Sequence, residues 1–227
     1  MLLNTLNCKL FITGTDTGIG KTYLSIGLLK LFNKSGYSTL AIKPLASRND
    51  NHLTNDVLVL RENSSIKLDY HLMNAFTFSR PIAPHIAASH EGIKLSAEVI
   101  ANKLAYALNN PAQIKIIEGI GGWHVPLNDK ETMEDIVRIL KLDVILAVGI
   151  RLGCLNHALL SAHAIKTSGV NFVGWIANCI DPLMPFQMEN IDTLKKYIDV
   201  PHLGTVSHHQ KPEKCINIHK IMANCSR

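Results

Sequence analysis

The sequence predicts an α/β protein, a single domain over residues 1–227 built on a mainly parallel sheet with helices on both faces. Three observations predict it. Short apolar runs alternate with longer amphipathic stretches along the chain, as they do when strands and covering helices take turns. The most apolar run, residues 144–150, is continuous rather than alternating, which suits a parallel strand buried on both sides. It is also far too short to span a bilayer. Finally, a glycine-rich turn links the first apolar run to the first amphipathic stretch, giving strand, turn and helix in that order.

The elements follow in sequence. Residues 9–13 read as a strand and 20–34 as a helix, with a second strand at 39–43. Residues 56–62 form a short helix. Residues 96–108 form a longer one, with Ser96 as its N-cap. A strand at 114–117 precedes a helix at 132–140, and a strand at 144–148 precedes a helix at 156–168 that stops at Gly169. The last elements are a strand at 172–178, a helix at 188–197 and a strand at 203–206. Ser79-Arg-Pro-Ile-Ala-Pro84 is punctuated by proline and reads as a loop, and Pro182 and Pro185 mark another. No repeat, low-complexity tract or linker interrupts the pattern. In an open sheet of this kind ligands bind at the carboxyl ends of the strands, so the polar residues after each strand are the ones to inspect.

Composition narrows the function classes. Hydrophobic residues make up 47% and charged residues 18% of the chain, ordinary values that exclude a disordered protein. The net charge of +5 comes from 23 basic and 18 acidic residues that are scattered, with no stripe for nucleic acid or a membrane surface. The five cysteines, Cys8, Cys154, Cys179, Cys215 and Cys225, are odd in number and form no CxxC pair. Reduced thiols in a cytoplasmic protein are therefore expected rather than a disulfide framework or a zinc knuckle. The first residues carry no basic leader with a long apolar core, so no signal peptide is expected.

The strongest chemical signal is Gly14-Thr-Asp-Thr-Gly-Ile-Gly-Lys-Thr22. A glycine-rich loop turns backbone N–H groups around phosphate oxygens, and the helix that follows adds its free amides and dipole. Lys21 would neutralise the β- and γ-phosphates, and Thr22 would offer its hydroxyl to Mg²⁺. The usual motif places a glycine at position 15, but here that residue is Thr15 and the glycine stands one place earlier. The competing reading is a plain strand–turn–helix with a chance Gly-Lys-Thr.

Lys43 follows the second strand, where a cation can hold a phosphoryl group or an anionic nucleophile. On position alone an ordinary surface lysine is the better reading. Ser47 and Asp50 lie in the loop beyond, and Asp56 opens the next helix. Glu118 ends an apolar strand and is followed by Gly119-Ile-Gly-Gly122, the arrangement of a Mg²⁺-directed carboxylate; a solvated glutamate at a glycine turn is the alternative. Arg151-Leu-Gly-Cys-Leu-Asn-His157 contains a helix start that could bind an anion, although a plain helix capped by Asn156 is physically the simpler reading. His208, His209, Cys215 and His219 lack recognised zinc spacing and read as a solvated polar tail.

These segments together resemble the dethiobiotin synthetase family. The resemblance runs through Gly14–Thr22, Lys43–Ser47, Asn55-Asp56, residues 63–65, Pro84-His-Ile86, residues 118–123, residues 152–157 and residues 174–178, in the family's order. It implies a P-loop NTPase fold and an ATP-dependent cyclo-ligase needing Mg²⁺. Its substrates would be 7,8-diaminopelargonic acid, CO₂ and ATP, and its products dethiobiotin, ADP and phosphate. The implied route forms a carbamate on one amine. The carbamate then attacks the γ-phosphate to give a mixed carbamic–phosphoric anhydride, and the second amine closes the ureido ring.

The resemblance makes Lys43 and Lys21 catalytic and Thr22, Asp56 and Glu118 the metal set, with Asp50 the next candidate. It puts ATP on Gly18, Ile19, Gly20, Lys21, Thr22, Tyr23, Asp56, Glu118, Gly119, Ile120, Gly121, Asn178 and Cys179. It puts the substrate on Thr17, Ser47, Gly153, Cys154 and Asn156. It further implies a cytoplasmic homodimer with shared active sites and no nucleic-acid or membrane partner. Three departures bear on nucleotide selectivity: Gly18 where some relatives have an acidic residue, Cys179 likewise, and Ser207-His-His209 in place of a proline-containing segment. The main rival is an ATPase switch of the partitioning or septum-placement type. Such proteins resemble one another in an extra lysine early in the loop, where this chain has Thr15, Asp16 and Thr17. A corrinoid amidotransferase would need a glutaminase domain that 227 residues cannot hold.

Overall fold

The structure, a computed structural model, describes residues 6–47 and 55–226. Asp50 lies outside the described residues. In chain order the elements are β1 (Cys8–Gly14), α1 (Lys21–Lys34), β2 (Thr39–Ile42), β3 (Leu45–Ser47), α2 (Asn55–Asn63), α3 (Tyr70–Met73), β4 (Phe76–Phe78), α4 (Pro84–His90), α5 (Ala97–Leu108), β5 (Ile114–Glu118), α6 (Met133–Leu140), β6 (Asp143–Gly149), α7 (Cys154–Thr167), β7 (Phe172–Asn178), α8 (Gln187–Tyr197), β8 (His202–Val206) and α9 (Ile218–Asn224).

Six strands form one sheet in the order β2-β5-β1-β6-β7-β8, and every described pairing is parallel. Parallel strands need covering elements on both faces, and the cores divide accordingly. Alternate residues of β6 go to opposite sides: Val144, Leu146 and Val148 pack with α5, α6 and α7, while Ile145 and Ala147 pack with α1. β1 lies between β5 and β6, so the chain crosses away from it in both directions. A crevice therefore opens beyond its carboxyl end. β3 and β4 form a small parallel pair outside the main sheet. Among the described residues no helix is long and apolar enough to cross a membrane.

Three sequence expectations need correction. Asn156 does not cap its helix: α7 starts at Cys154 with Gly153, at φ 89°, as its N-cap, because glycine alone takes that left-handed turn cheaply. The His/Cys-bearing tail is not simply solvated. His208, His209 and His219 are exposed, but a 3-10 turn at Pro212–Lys214 and α9 pack onto α1 and β8 and bury Pro212, Ile216 and Ile221. Contact with α1 is close enough that a Cβ at Gly27 would stand 2.3 Å from Pro212 Cβ. Finally, Cys8 and Cys225 form a disulfide, with Cα atoms 6.4 Å apart and 217 residues between them. No local spacing could signal that pair, since the folded tail brings it to the amino end of β1. Asp143 secures the same end, accepting from Ser226 N–H at 2.7 Å and Ser226 Oγ at 2.6 Å.

The far edge of the sheet carries a titrating group. His202 lies 4.5 Å from Trp175, ring to ring, and its Nε2 is 3.2 Å from Thr205 Oγ1. Burial, followed by the charges of Lys195 and Lys220, pushes its pKa from 6.5 down to about 4. Between those values the unfolded chain binds a proton that the folded chain refuses, so stability declines as pH falls through that window. Denaturant titrations from pH 7 to 4 should show that decline, and His202→Gln should flatten it. An unchanged slope in the variant would mean that other groups carry the acid sensitivity.

Candidate functional site

The site starts with the backbone between β1 and α1. Gly20 is the N-cap of α1 at φ 86°, and a Cβ there would come within 2.4 Å of Asn178 Nδ2. Glycine is thus required both by conformation and by space. Asn178 at the end of β7 donates from Nδ2 to Ile19 O at 2.8 Å, tying the loop to a neighbouring strand. Ile19 itself is buried beneath the loop. The first-turn amides of α1 have no intrahelical acceptor, and they open toward the crevice with the helix dipole behind them.

Two lysines and one glutamate meet there. Lys43 is no surface lysine. It is buried, and its Nζ donates to Glu118 Oε1 at 2.5 Å and to Gly119 O at 3.1 Å. Thr22 Oγ1 donates to the same Glu118 oxygen at 2.8 Å. Lys21 Nζ donates to Asp16 O at 2.8 Å. Burial, followed by the nearby ammonium of Lys43, pushes Lys21 from 10.5 down to about 8, while Glu118, Asp16 and Asp56 pull it the other way. A ligand bearing several negative charges would relieve this crowding of cations.

The residues also fit a divalent cation. Glu118 Oε2 is buried and has no hydrogen-bond partner in the protein. Thr22 and Asp56 line the same cavity, and Asp56 Oδ2 lies 4.0 Å from Lys43 Nζ. Oxygen donors of this kind suit Mg²⁺.

The cavity holds about 710 Å³, and its lining includes Thr17, Gly18, Gly20, Lys21, Thr22 and Lys43. Ser47, Asp56, Glu118, Ile120 and Gly121 line it as well. The remaining candidates stand apart from it. Gly119 contributes its carbonyl to Lys43. Tyr23 donates its hydroxyl to Gln210 O at 2.6 Å, and Cys179 is buried after β7. Gly153, Cys154 and Asn156 lie on the β6–α7 turn, outside the cavity wall. Sequence reasoning missed part of the lining: Pro81, Ile82, Ala83 and Pro84, and Val125 and Pro126. The prolines marked 79–84 as a loop but did not say what it faced. The pairing of Asp16 with Arg151 was missed as well.

Comparison with known proteins fits this geometry. The AAA domain family matches residues 8–214. The ATP-dependent dethiobiotin synthetase BioD of Pseudomonas aeruginosa strain LESB58 is 45% identical over 86% of this chain and 88% of its own. The BioD of Nitrosospira multiformis is 43% identical over 88% of each chain. The BioD 1 of Escherichia coli O157:H7 is 41% identical over 86% of this chain and 88% of its own. Among solved structures, chloroplast FtsY from Physcomitrella patens superposes with a TM-score of 0.61 at 16% identity. That match covers 99% of this chain and 66% of the other. Cell division protein FtsY from Thermotoga maritima gives 0.56 at 18% identity, covering 97% and 70%. At such identities these two show the fold alone.

The buried ion pair has a measurable consequence. Glu118→Gln keeps the shape of the side chain but removes the buried counter-charge of Lys43, leaving only the more exposed Asp56 at 4.0 Å. Breaking one side of a buried pair typically costs about 3 kcal/mol or more. Urea unfolding without added nucleotide or metal should show a loss of about that size. A loss under about 1 kcal/mol would mean that the pair is solvated or that Asp56 takes over from Glu118.

Proposed function

The chain belongs to the family of ATP-dependent dethiobiotin synthetases, and from that membership we propose that it carboxylates 7,8-diaminopelargonic acid with CO₂ and closes the ureido ring at the expense of ATP. The observation that carries this reading is the meeting of Lys21, Lys43, Thr22 and Glu118 at the mouth of the glycine loop. Polyphosphate would lie along the amides of residues 18–22, with Lys21 on its outer phosphates. Thr22, Glu118 and Asp56 would hold Mg²⁺, which when bound spreads the charge of the transferring phosphoryl group. Tyr23, Asn178 and Cys179 would lie toward the base, and Gly119–Gly121 along the nucleotide.

In the proposed cyclo-ligase sequence one amine of the substrate takes up CO₂ and loses a proton, leaving a carbamate. The carbamate oxygen bonds to the γ-phosphorus as the bond to ADP breaks. The second amine then attacks the carbamoyl carbon, phosphate leaves and the ring closes. Lys43 supplies the positive charge beside the carbamate and the phosphoryl group. Thr17 and Ser47, which both line the cavity, would position the diamine. A cytoplasmic location, where ATP and CO₂ are at hand, belongs to the same proposal, and in that reducing compartment the adjacent Cys8 and Cys225 would stand as thiols.

The far carboxylate of the substrate would bind at the β6–α7 turn, Gly153–Asn156, of a second copy. Exposed apolar residues at neighbouring strand ends support that pairing: Leu152 is 91% exposed after β6, and Leu183 and Phe186 are 88% and 71% exposed after β7. Large apolar side chains left this exposed favour being covered.

Incubating the protein with diaminopelargonate, bicarbonate and Mg-ATP should yield dethiobiotin by mass, together with ADP. ATP hydrolysis that ignores the diamine would contradict the reading. For the shared site, Lys21→Ala and Asn156→Ala homodimers should each be poorly active. After subunit exchange about half the dimers are hybrids with one intact site of two, so activity should return to about a quarter of wild type. No gain above the parents after confirmed exchange would place both residues in one chain's site.

A further inference from the structure

The phosphate loop is tied down at three points. Its start is held to β6, where Thr15 N–H donates to Ala147 O at 3.0 Å and Gly149 N–H donates to Thr15 Oγ1 at 3.3 Å. Its end is held to β7 through Asn178 Nδ2 and Ile19 O. Among the described residues, the one hydrogen bond that reaches residues 16–18 from outside the 14–22 segment comes from Arg151, whose Nη2 pairs with Asp16 Oδ2.

Asp16 is an unusual place to grip. Its other carboxylate oxygen accepts from Thr17 N–H at 2.7 Å, and its carbonyl accepts from Lys21 Nζ at 2.8 Å. One residue thus shapes the turn and holds the ammonium that faces the cavity. The side chains of Arg151 and Asp16 are 40% and 45% exposed, so their ion pair adds little to global stability. Its effect is local. It fixes a loop residue that belongs to no helix or strand, and it offsets a negative charge that would otherwise repel incoming phosphates.

We propose that Arg151 is a positioning residue for the nucleotide, acting through Asp16 to set the middle of the phosphate loop and the ammonium of Lys21. The inference rests on the ATP-binding reading of this site. Arg151 also stands two residues before Gly153, the N-cap of α7. The arginine therefore joins the phosphate loop to the turn proposed for the substrate carboxylate.

The test is a binding cycle measured by calorimetry with Mg-ATP and no diamine, on wild type, Arg151→Ala, Arg151→Lys, Asp16→Asn and the double variant Asp16→Asn/Arg151→Ala. Arg151→Ala should weaken Mg-ATP by about tenfold, a typical coupling for residues in direct contact. Arg151→Lys should recover most of that loss, because a cation can still reach Asp16. In the Asp16→Asn background the arginine substitution should add little. Melting temperatures of Arg151→Ala and wild type should agree within about 2 °C, which separates positioning from a general loosening of the fold. Unchanged Mg-ATP affinity in a folded Arg151→Ala protein would overturn the inference. So would a loss as large in the Asp16→Asn background as in wild type, since Arg151 would then act without Asp16. Wild-type protein that bound no Mg-ATP would overturn the ATP reading itself and this inference with it, whereas the other two outcomes overturn this inference alone.

Discussion

A single carboxylate allows two lysines to occupy one buried corner. Lys43 is closed off from water, Lys21 nearly so, and each would pay a large desolvation cost alone. Glu118 reduces that cost by taking Lys43 at 2.5 Å and adding to the field felt by Lys21. The remaining imbalance is visible in Lys21, which burial and Lys43 push down to about 8. Two ammonium groups held this close in a buried corner would gain from an anionic ligand, and the glycine loop above them is shaped for phosphate. The sheet sets this geometry. β5 runs parallel to β1 with Ile12 opposite Glu118, so the carboxylate arrives at the level where the loop begins. β2 pairs with β5 through Ile42 and Ile117, which delivers Lys43 to the same edge.

Much of this could be read in the sequence, because its signals are local. Strand, glycine turn and helix are contiguous in residues 8–34, and the apolar runs before Lys43, Glu118 and Asn178 are themselves strands. Parallel topology then brings their carboxyl ends together. Elements with short or mixed patterns were less visible. β3 and β4 have three residues each, and α3 has four, too few for a period to show. Contacts between distant parts of the chain left no signal at all. The Cys8–Cys225 pair spans 217 residues, and Asp16 meets Arg151 across 135.

The turn after β6 shows how one segment can serve several ends. Ile150 N–H donates to Asn178 O at 2.8 Å, so the turn begins as an extension of the sheet. Arg151 then reaches back to the phosphate loop, Leu152 projects into solvent, and Gly153 starts α7. Physics alone recommended a plain helix start capped by Asn156. Moving the start to Cys154 frees the Asn156 side chain from capping and places it on the exposed first turn. If the proposed sites hold, nucleotide, substrate and second subunit would meet within a few residues of this turn, which suits a reaction limited by positioning.

On the proposed reading, this corner transfers the γ-phosphoryl group to a carbamate oxygen rather than to water. A single turnover can be run with freshly dissolved [¹⁸O]bicarbonate in ordinary water and quenched before the label exchanges with solvent. The account predicts that the phosphate released with dethiobiotin carries an ¹⁸O atom taken from the carbamate. Dethiobiotin formed alongside unlabelled phosphate would contradict it, because the phosphoryl group would then never have been bonded to that oxygen.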